Sequence, residues 1–588
     1  MGLARQRLTD GNPAELQAVF ALHGMREALV QGLLSRHQII KPTNDSMRLS
    51  FVSRSLPQAI YVLLCLAFLI TFVVTLWMAF YTPVYPDEIF WKVMIARLDS
   101  DGGKLVYLFA QCRQGQWIDA PLTWYPAMWI NAWLYEDASR PWELRVHGWI
   151  LFLVLLGLWT WLLREKSGIG WPDSFLAVSA FLSMGTMPFL MVLGRPEQPL
   201  LLLLTLALLT TLIKPPETRV SWGRGLIYVL GFALIGTLMA GIHPKGMFLF
   251  PVLMVLAWRQ VRSLSLMALL ALVLGRTAFD THQVWQLRTS CPEIPGLMKV
   301  LQSLTLRPSM FFSDPIGFIK AGVVNLMAFG AYVTSLEFRE SYISSWMPSA
   351  VDWSATAPLV LIANSLIWLP VLMAALIIGA NGLAARHSRN WTDVLIWLGL
   401  LLPLGTIAGL QMAKNFYEAS IIWPLILLLV IFSFGKPLIQ PARLGVRIVL
   451  VVLMGVALVS GIIRFDRFGD AMQEWRKARA EQTEYVDRHN QALREFARQQ
   501  CAIGDDAKRL VLDNNAYQAF WANEQPIFLD YVAGWWGAES DIKIMLQDRQ
   551  VGGLISKCDR IPEVLRPFMV RETDEAGGNC CIAAQHLR

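Results

Sequence analysis

The sequence predicts an α-helical polytopic membrane protein, about 11 transmembrane helices followed by a small C-terminal α/β domain, and three observations carry that prediction. Of the 588 residues, 55% are hydrophobic and only 16% charged, where a soluble globular protein has about a quarter charged. Apolar runs of roughly 17 to 25 residues recur along most of the chain, each long enough to carry a helix across ~30 Å of hydrocarbon. After about residue 465 the runs shorten and polar residues dominate. This composition nearly excludes a soluble enzyme. The net charge of +7 comes from basic residues in short loops between apolar runs, so it reads as topology information rather than as a nucleic-acid footprint.

The first ~50 residues are polar and mixed in charge, with no cleavable signal sequence, so 1–56 is expected to be a cytoplasmic segment and the first span the insertion signal. Clear spans fall near 57–80, 148–163, 175–193, 198–213 and 226–242, then 246–258, 263–279, 357–379, 393–411, 420–434 and 445–463, with a doubtful one at 318–335. The basic residues Arg36, Lys41, Arg48 and Arg54 precede the first span; the excess of positive charge on the cytoplasmic side then places the N-terminus inside. Alternation leaves Arg164/Lys166, Lys214/Arg219/Arg224, Arg259/Arg262, Arg386/Arg389 and Lys436/Arg443/Arg447 inside if 318–335 does not cross. A crossing there would put the last two basic loops outside. The eleven-span reading makes 57–464 one membrane domain with large external loops 81–147 and 280–356, the second holding an amphipathic or re-entrant helix. It also makes 465–588 an external, periplasmic domain.

In that domain a charged helix-prone stretch, 466–500, precedes short apolar runs at Arg509–Asp513 and Pro526–Val532, the pattern of a small α/β fold. The cysteines follow the same topology: Cys112, Cys291, Cys501, Cys558, Cys580 and Cys581 are external, where disulfides persist, and Cys65 lies in a span. Cys112 with Cys291 could tie the two large loops, and the other four could form two bridges of open connectivity. No C-x-x-C spacing suggests zinc, and no fixed-period repeat is evident.

Candidate chemistry gathers at the external ends of the spans. Asp87 and Glu88 follow the first span by a few residues. A partly desolvated carboxylate there is suited to general-base work on an acceptor hydroxyl or amine, although the pair could also simply mark the water interface. Arg195-Pro196-Glu197, His243-Pro244-Lys245-Gly246 and Lys414-Asn415-Phe416-Tyr417-Glu418 fall on the same side. Cations at apolar hairpin tips outside the membrane run against the usual bias and suggest an anion to be met, most simply a phosphate. Trp117, Trp124, Tyr125, Trp129 and Trp133 surround Asp119 at a spacing of a surface helix beside membrane lipids.

The acidic pair after the first span, Asp87-Glu88, and next Arg195-Pro196-Glu197, in a chain with a long helical first loop and an external C-terminal domain, resemble the GT-C superfamily of membrane glycosyltransferases. That superfamily includes protein O-mannosyltransferases, the lipid A aminoarabinose transferase and O-antigen glucosyltransferases. The resemblance implies a GT-C-like membrane domain in the bacterial inner membrane and inverting transfer of a single sugar at the periplasmic face. The donor would be a polyprenyl-phosphate-linked sugar and the acceptor a cell-envelope glycan or lipid. Asp87 would be the base, Glu88 or Glu197 would orient acceptor or donor sugar, and Arg195, His243, Lys245 and Lys414 would hold the donor phosphate, with Tyr417 adding a hydrogen bond. No cofactor is implied. A divalent metal is optional in the superfamily, and no convincing D-x-D triplet here demands one. Two other functions fit parts of the pattern. A transporter or flippase of lipid-linked glycans would line a path with ionisable groups, which the span interiors largely lack; an O-antigen-type ligase or polymerase would rely on a large loop such as 280–356.

Overall fold

The structure is a computed structural model that describes residues 47–80, 88, 104–106, 117–135, 141–217, 220–288, 290, 298, 303–337, 357–385, 391–412, 414, 416–433, 443–504, 507, 509–520, 523, 527–529, 546, 551–572 and 578–587. The described residues divide into two units, one ending at Leu63 and the other beginning at Leu64. The first is known here as the beginning of helix Met47–Phe80; the second holds everything that follows.

Among the described residues, seven helices are long and apolar enough to cross a membrane: Gln58–Phe80, Arg145–Ser167, Trp222–Ile242, Leu264–Leu287, Pro315–Thr334, Val360–Ala380 and Gly445–Asp466. The protein is therefore a multi-pass helical membrane protein. Three shorter apolar helices, Glu197–Leu212, Val394–Leu410 and Ala419–Ser433, complete the membrane part, and the last of these is buried along most of its length. A helix surrounded by protein need not match the hydrocarbon thickness, because its end groups find partners in neighbouring chain rather than in lipid.

Two of the expected spans take a different form for that reason. The run 175–193 is not one helix. Helix Trp171–Leu182 ends, and a four-residue helix, Met187–Leu190, follows after a break. Gly185 adopts φ +50° at the break, and a Cβ there would run into the Leu336 carbonyl. Pro188 in the second piece also lacks the amide a continuous helix would need. The broken backbone is satisfied from outside: the buried Arg464 guanidinium donates to the carbonyls of Ser183 (2.9 Å) and Gly185 and to the Thr75 hydroxyl (3.1 Å). Similarly, 246–258 is a six-residue 3-10 turn, Pro244–Leu249, leading into a 12-residue helix, Phe250–Val261. At 1.5 Å per residue that helix is about 18 Å long, too short to cross alone.

The segment around 318–335 has its own geometry. Helix Pro315–Met327 is followed by Gly330–Thr334. Ahead of it, Leu306 N–H donates to Leu410 O at 2.8 Å and Met412 N–H to Leu304 O at 2.8 Å; behind it, Thr186 N–H donates to Leu336 O at 3.1 Å. Asn325, within it, donates to Gly409 O at 2.9 Å. Length and composition alone would let it cross, but the chain entering it is bonded to Leu410 and Met412, and the chain leaving it to Thr186.

Before helix Pro141–Ser167, a small antiparallel pair, β1 (Lys104–Val106) and β2 (Trp117–Asp119), leads through a 3-10 turn, Leu122–Trp124, into helix Tyr125–Tyr135. That helix lies against Trp222–Ile242 so closely that a Cβ on Gly241 would stand 2.5 Å from Ala127 Cβ. Trp129 is exposed as a surface anchor should be, but Trp124 is only 3% exposed, because its indole N–H donates to Thr281 at 3.0 Å and its ring joins the core of the C-terminal domain.

The last span and the charged stretch expected at 466–500 form one continuous helix, Arg443–Cys501. It delivers the chain to a five-stranded mixed sheet made of β3 (Leu510–Leu512), β4 (Ile527–Phe528), β5 (Gly553–Lys557), β6 (Val570–Arg571) and β7 (Asn579–Ala583), in the order β4-β3-β5-β7-β6. β3 runs parallel to β4 and β5, and β7 antiparallel to β5 and β6. Successive side chains of a strand point to opposite faces, so neighbouring Cys580 and Cys581 enter different cores. Cys580 bonds Cys558 on one face and Cys581 bonds Cys501 on the other, which resolves the connectivity of the four C-terminal cysteines. Cys65 lies within helix Met47–Phe80; Cys112 and Cys291 lie outside the described residues.

Candidate active site

Arg195, Glu197, Lys245, Tyr417 and Glu418 come from three separate hairpin tips and meet at one buried place. Helix Trp222–Ile242 stops at His243, whose Nδ1 accepts from the Lys245 amide at 3.0 Å. That bond caps the 3-10 turn and, in the neutral ring, puts the proton on Nε2. The turn aims Lys245 at two carboxylates: its ammonium is 3.0 Å from Glu418 and 3.7 Å from Glu197. Glu197, the first residue of its helix, also pairs with Arg195 at 3.2 Å. The Arg195 guanidinium lies over the Tyr417 ring, 3.8 Å from its centroid, a cation–π contact. Glu418 takes a further hydrogen bond from the Tyr332 hydroxyl at 3.2 Å. Arg195, Glu197, Glu418 and Tyr332 are all less than 5% exposed.

Lys414 sits at the edge of this network and is held differently. Its ammonium donates to the carbonyls of Ala408 (2.6 Å) and Gln411 and lies 5.1 Å over the Tyr332 ring. It has no salt-bridge partner among the described residues. Burial pushes the Lys414 ammonium below the ordinary lysine range, and Glu418 pulls it partly back. The chemical content of the site is thus three cations and two glutamates interleaved with two tyrosines. Arg195 and Lys245 are paired with Glu197 and Glu418, while the direct contacts of the Lys414 ammonium among the described residues are backbone carbonyls and the Tyr332 ring.

Glu88 is fully buried and forms a two-pronged ion pair with the equally buried Arg145, one arm at 2.5 Å, and accepts from the amide of Gly194. Arg145 reaches on to Val192 O at 3.4 Å. With its oxygens committed in this way, Glu88 does not stand ready to orient a sugar. It ties the start of the first loop to the backbone immediately before Arg195, and so acts as a positioning residue. Asp87, its chain neighbour, lies outside the described residues, as does Asn415. Among the described residues no three His, Cys, Asp or Glu side chains gather as a metal site requires.

Three participants escaped the sequence reading. Arg145 reads as an ordinary helix-start cation, and its signal is a basic residue leading an apolar span. Tyr332 lies in the segment of doubtful span, and Glu418 closes a cluster in which Lys414 and Tyr417 drew attention.

No family model matches the chain, and no curated protein matches it significantly. Its fold is similar to that of a solved structure. That structure is the crystal structure of ArnT from Cupriavidus metallidurans bound to undecaprenyl phosphate, at 13% identity and a TM-score of 0.43, covering 89% of this chain and 97% of that one. A likeness of this size leaves the chemistry to be argued from the residues.

Proposed function

We propose that the protein is an inverting glycosyltransferase of the bacterial inner membrane. It moves a single sugar from a polyprenyl-phosphate donor to a cell-envelope glycan or lipid acceptor at the periplasmic face. The observation that carries this reading is Lys414: a half-buried ammonium with no salt-bridge partner among the described residues, beside two cations held by glutamates. Leaving such a charge without a counter-ion in a low-dielectric place is costly unless an anion arrives to meet it. A phosphate on a membrane lipid is an anion delivered at that depth.

In this reading the acceptor hydroxyl attacks the anomeric carbon as the bond to the donor phosphate oxygen breaks, and Asp87 takes the hydroxyl proton. Polyprenyl phosphate leaves with the bonding electrons, and Lys414, with Lys245 and Arg195 behind it, stabilises the developing charge. Glu197 and Glu418 keep those cations aimed in the absence of substrate. Tyr417 holds Arg195 through its ring face and Tyr332 steadies Glu418. Because these side chains supply the positive charge and a phosphate is already a good leaving group, no obligatory metal is proposed.

Replacing Lys414 by Met keeps the length of the side chain and removes the charge. Losing a charge-assisted hydrogen bond should raise the KM for a polyprenyl-phosphate sugar roughly tenfold to a hundredfold. Donor titration with the purified protein measures this, and an unchanged KM would remove Lys414 from the donor site.

A further inference from the structure

At the end of helix Trp222–Ile242 remote from His243 lies a recess of about 320 Å³, lined among others by Lys214, Pro215, Glu217, Arg224, Tyr228 and Gln260. Its floor is fixed by hydrogen bonds. Arg259 donates to the carbonyls of Thr210 (3.0 Å), Thr211 (3.0 Å) and Ile213 (3.2 Å), and the buried Gln260 amide donates to Thr210 O at 2.7 Å. These bonds satisfy the last carbonyls of the helix that ends at Leu212 and hold Arg259 against it.

The polar groups of the rim are not occupied in the same way. Arg224 and Tyr228 stand one helical turn apart, on one face of the helix. Neither has a hydrogen-bond or salt-bridge partner among the described residues. Lys214 meets Glu217 at 3.2 Å with both side chains more than four-fifths exposed, a weak pair. One carboxylate against two cations leaves the recess positive.

The surroundings give the depth of the recess. Trp171, Trp222 and Trp258 are exposed at this end of the helices, and Arg164 stacks over Trp171 at 4.7 Å. Tryptophan and basic side chains together mark the headgroup layer of a bilayer. On the neighbouring face of the same helix, Ile227, Leu230 and Leu234 form an exposed apolar stripe running away from the recess.

We infer that this recess binds the phosphate headgroup of an anionic glycerophospholipid. Arg224 and Lys214 meet the phosphate, Tyr228 donates to it, and the acyl chains lie along Ile227, Leu230 and Leu234. The site is separate from the polar cluster around Glu418 and does not depend on the sugar-transfer reading.

The test is native mass spectrometry of the full chain, delipidated in detergent and then titrated with phosphatidylglycerol or phosphatidylcholine, with and without excess inorganic phosphate. Wild type should retain phosphatidylglycerol over phosphatidylcholine by roughly ten- to thirtyfold, the effect expected of two surface cations. Arg224→Gln with Lys214→Gln should lose that preference while keeping a wild-type elution profile, and Tyr228→Phe should weaken it in part. Equal retention of the two lipids, or an undiminished preference in the double variant, overturns the assignment. Displacement by inorganic phosphate at equal strength also overturns it, because the recess would then be a site for free phosphate.

Discussion

Glu88 and Asp87 are neighbours in sequence, and the burial of Glu88 separates their tasks. A carboxylate facing a buried guanidinium and a backbone amide is a fixed joint, and removing one partner leaves the other charge buried without compensation. Glu88→Gln should therefore cost about 3–5 kcal/mol of stability, read as a lowered unfolding temperature in detergent. Adding Arg145→Met should recover most of it, because the orphaned charge goes too. A double variant as unstable as the single one would show that the pair is not what holds this joint. The hairpin-tip cations were legible from their placement at apolar turns, whereas their individual duties were not. Spacing along the chain does not say that Lys245 faces Glu418 from 173 residues away, or that His243 spends its Nδ1 on the Lys245 amide.

At the scale of elements, hydropathy located the apolar runs because hydrocarbon demands long unbroken helices at the lipid boundary. It failed at 175–193 and 246–258 because that demand lapses inside the protein, where Arg464 can serve the carbonyls of a broken helix. The break depends on Gly185. A side chain there meets both a left-handed backbone conformation, costing about 1–2 kcal/mol, and the Leu336 carbonyl, which as backbone cannot swing aside. Gly185→Ala should destabilise by at least about 2 kcal/mol. Gly157→Ala is the control: it lies within helix Pro141–Ser167 with open space around its Cα, and should be neutral or mildly stabilising. Equal unfolding temperatures for the two variants would contradict this account of the break. The cysteine pairs show a similar limit. Their even number pointed to bridges, but only the alternation of side chains along β7 assigns Cys580 and Cys581 to opposite faces of the sheet.

At the scale of the whole molecule, helix Arg443–Cys501 carries the chain from the membrane part into the disulfide-bonded sheet. One core of that sheet includes Trp124, Met128 and Val284 from the membrane part. The glutamate-braced cations lie at the same end of the helices, and the basic recess around Arg224 lies at the other. The claim on which the account depends is that Asp87 is the base of a sugar transfer. The measurement is transfer of radiolabelled sugar from polyprenyl-phosphate donors to cell-envelope acceptors by purified protein, wild type against Asp87→Asn, with and without chelator. Wild type should transfer sugar in both conditions, and the variant should fall by roughly a hundredfold to ten-thousandfold while still binding polyprenyl phosphate. A fully active Asp87→Asn variant, or a wild-type protein that transfers from no such donor, would contradict that claim.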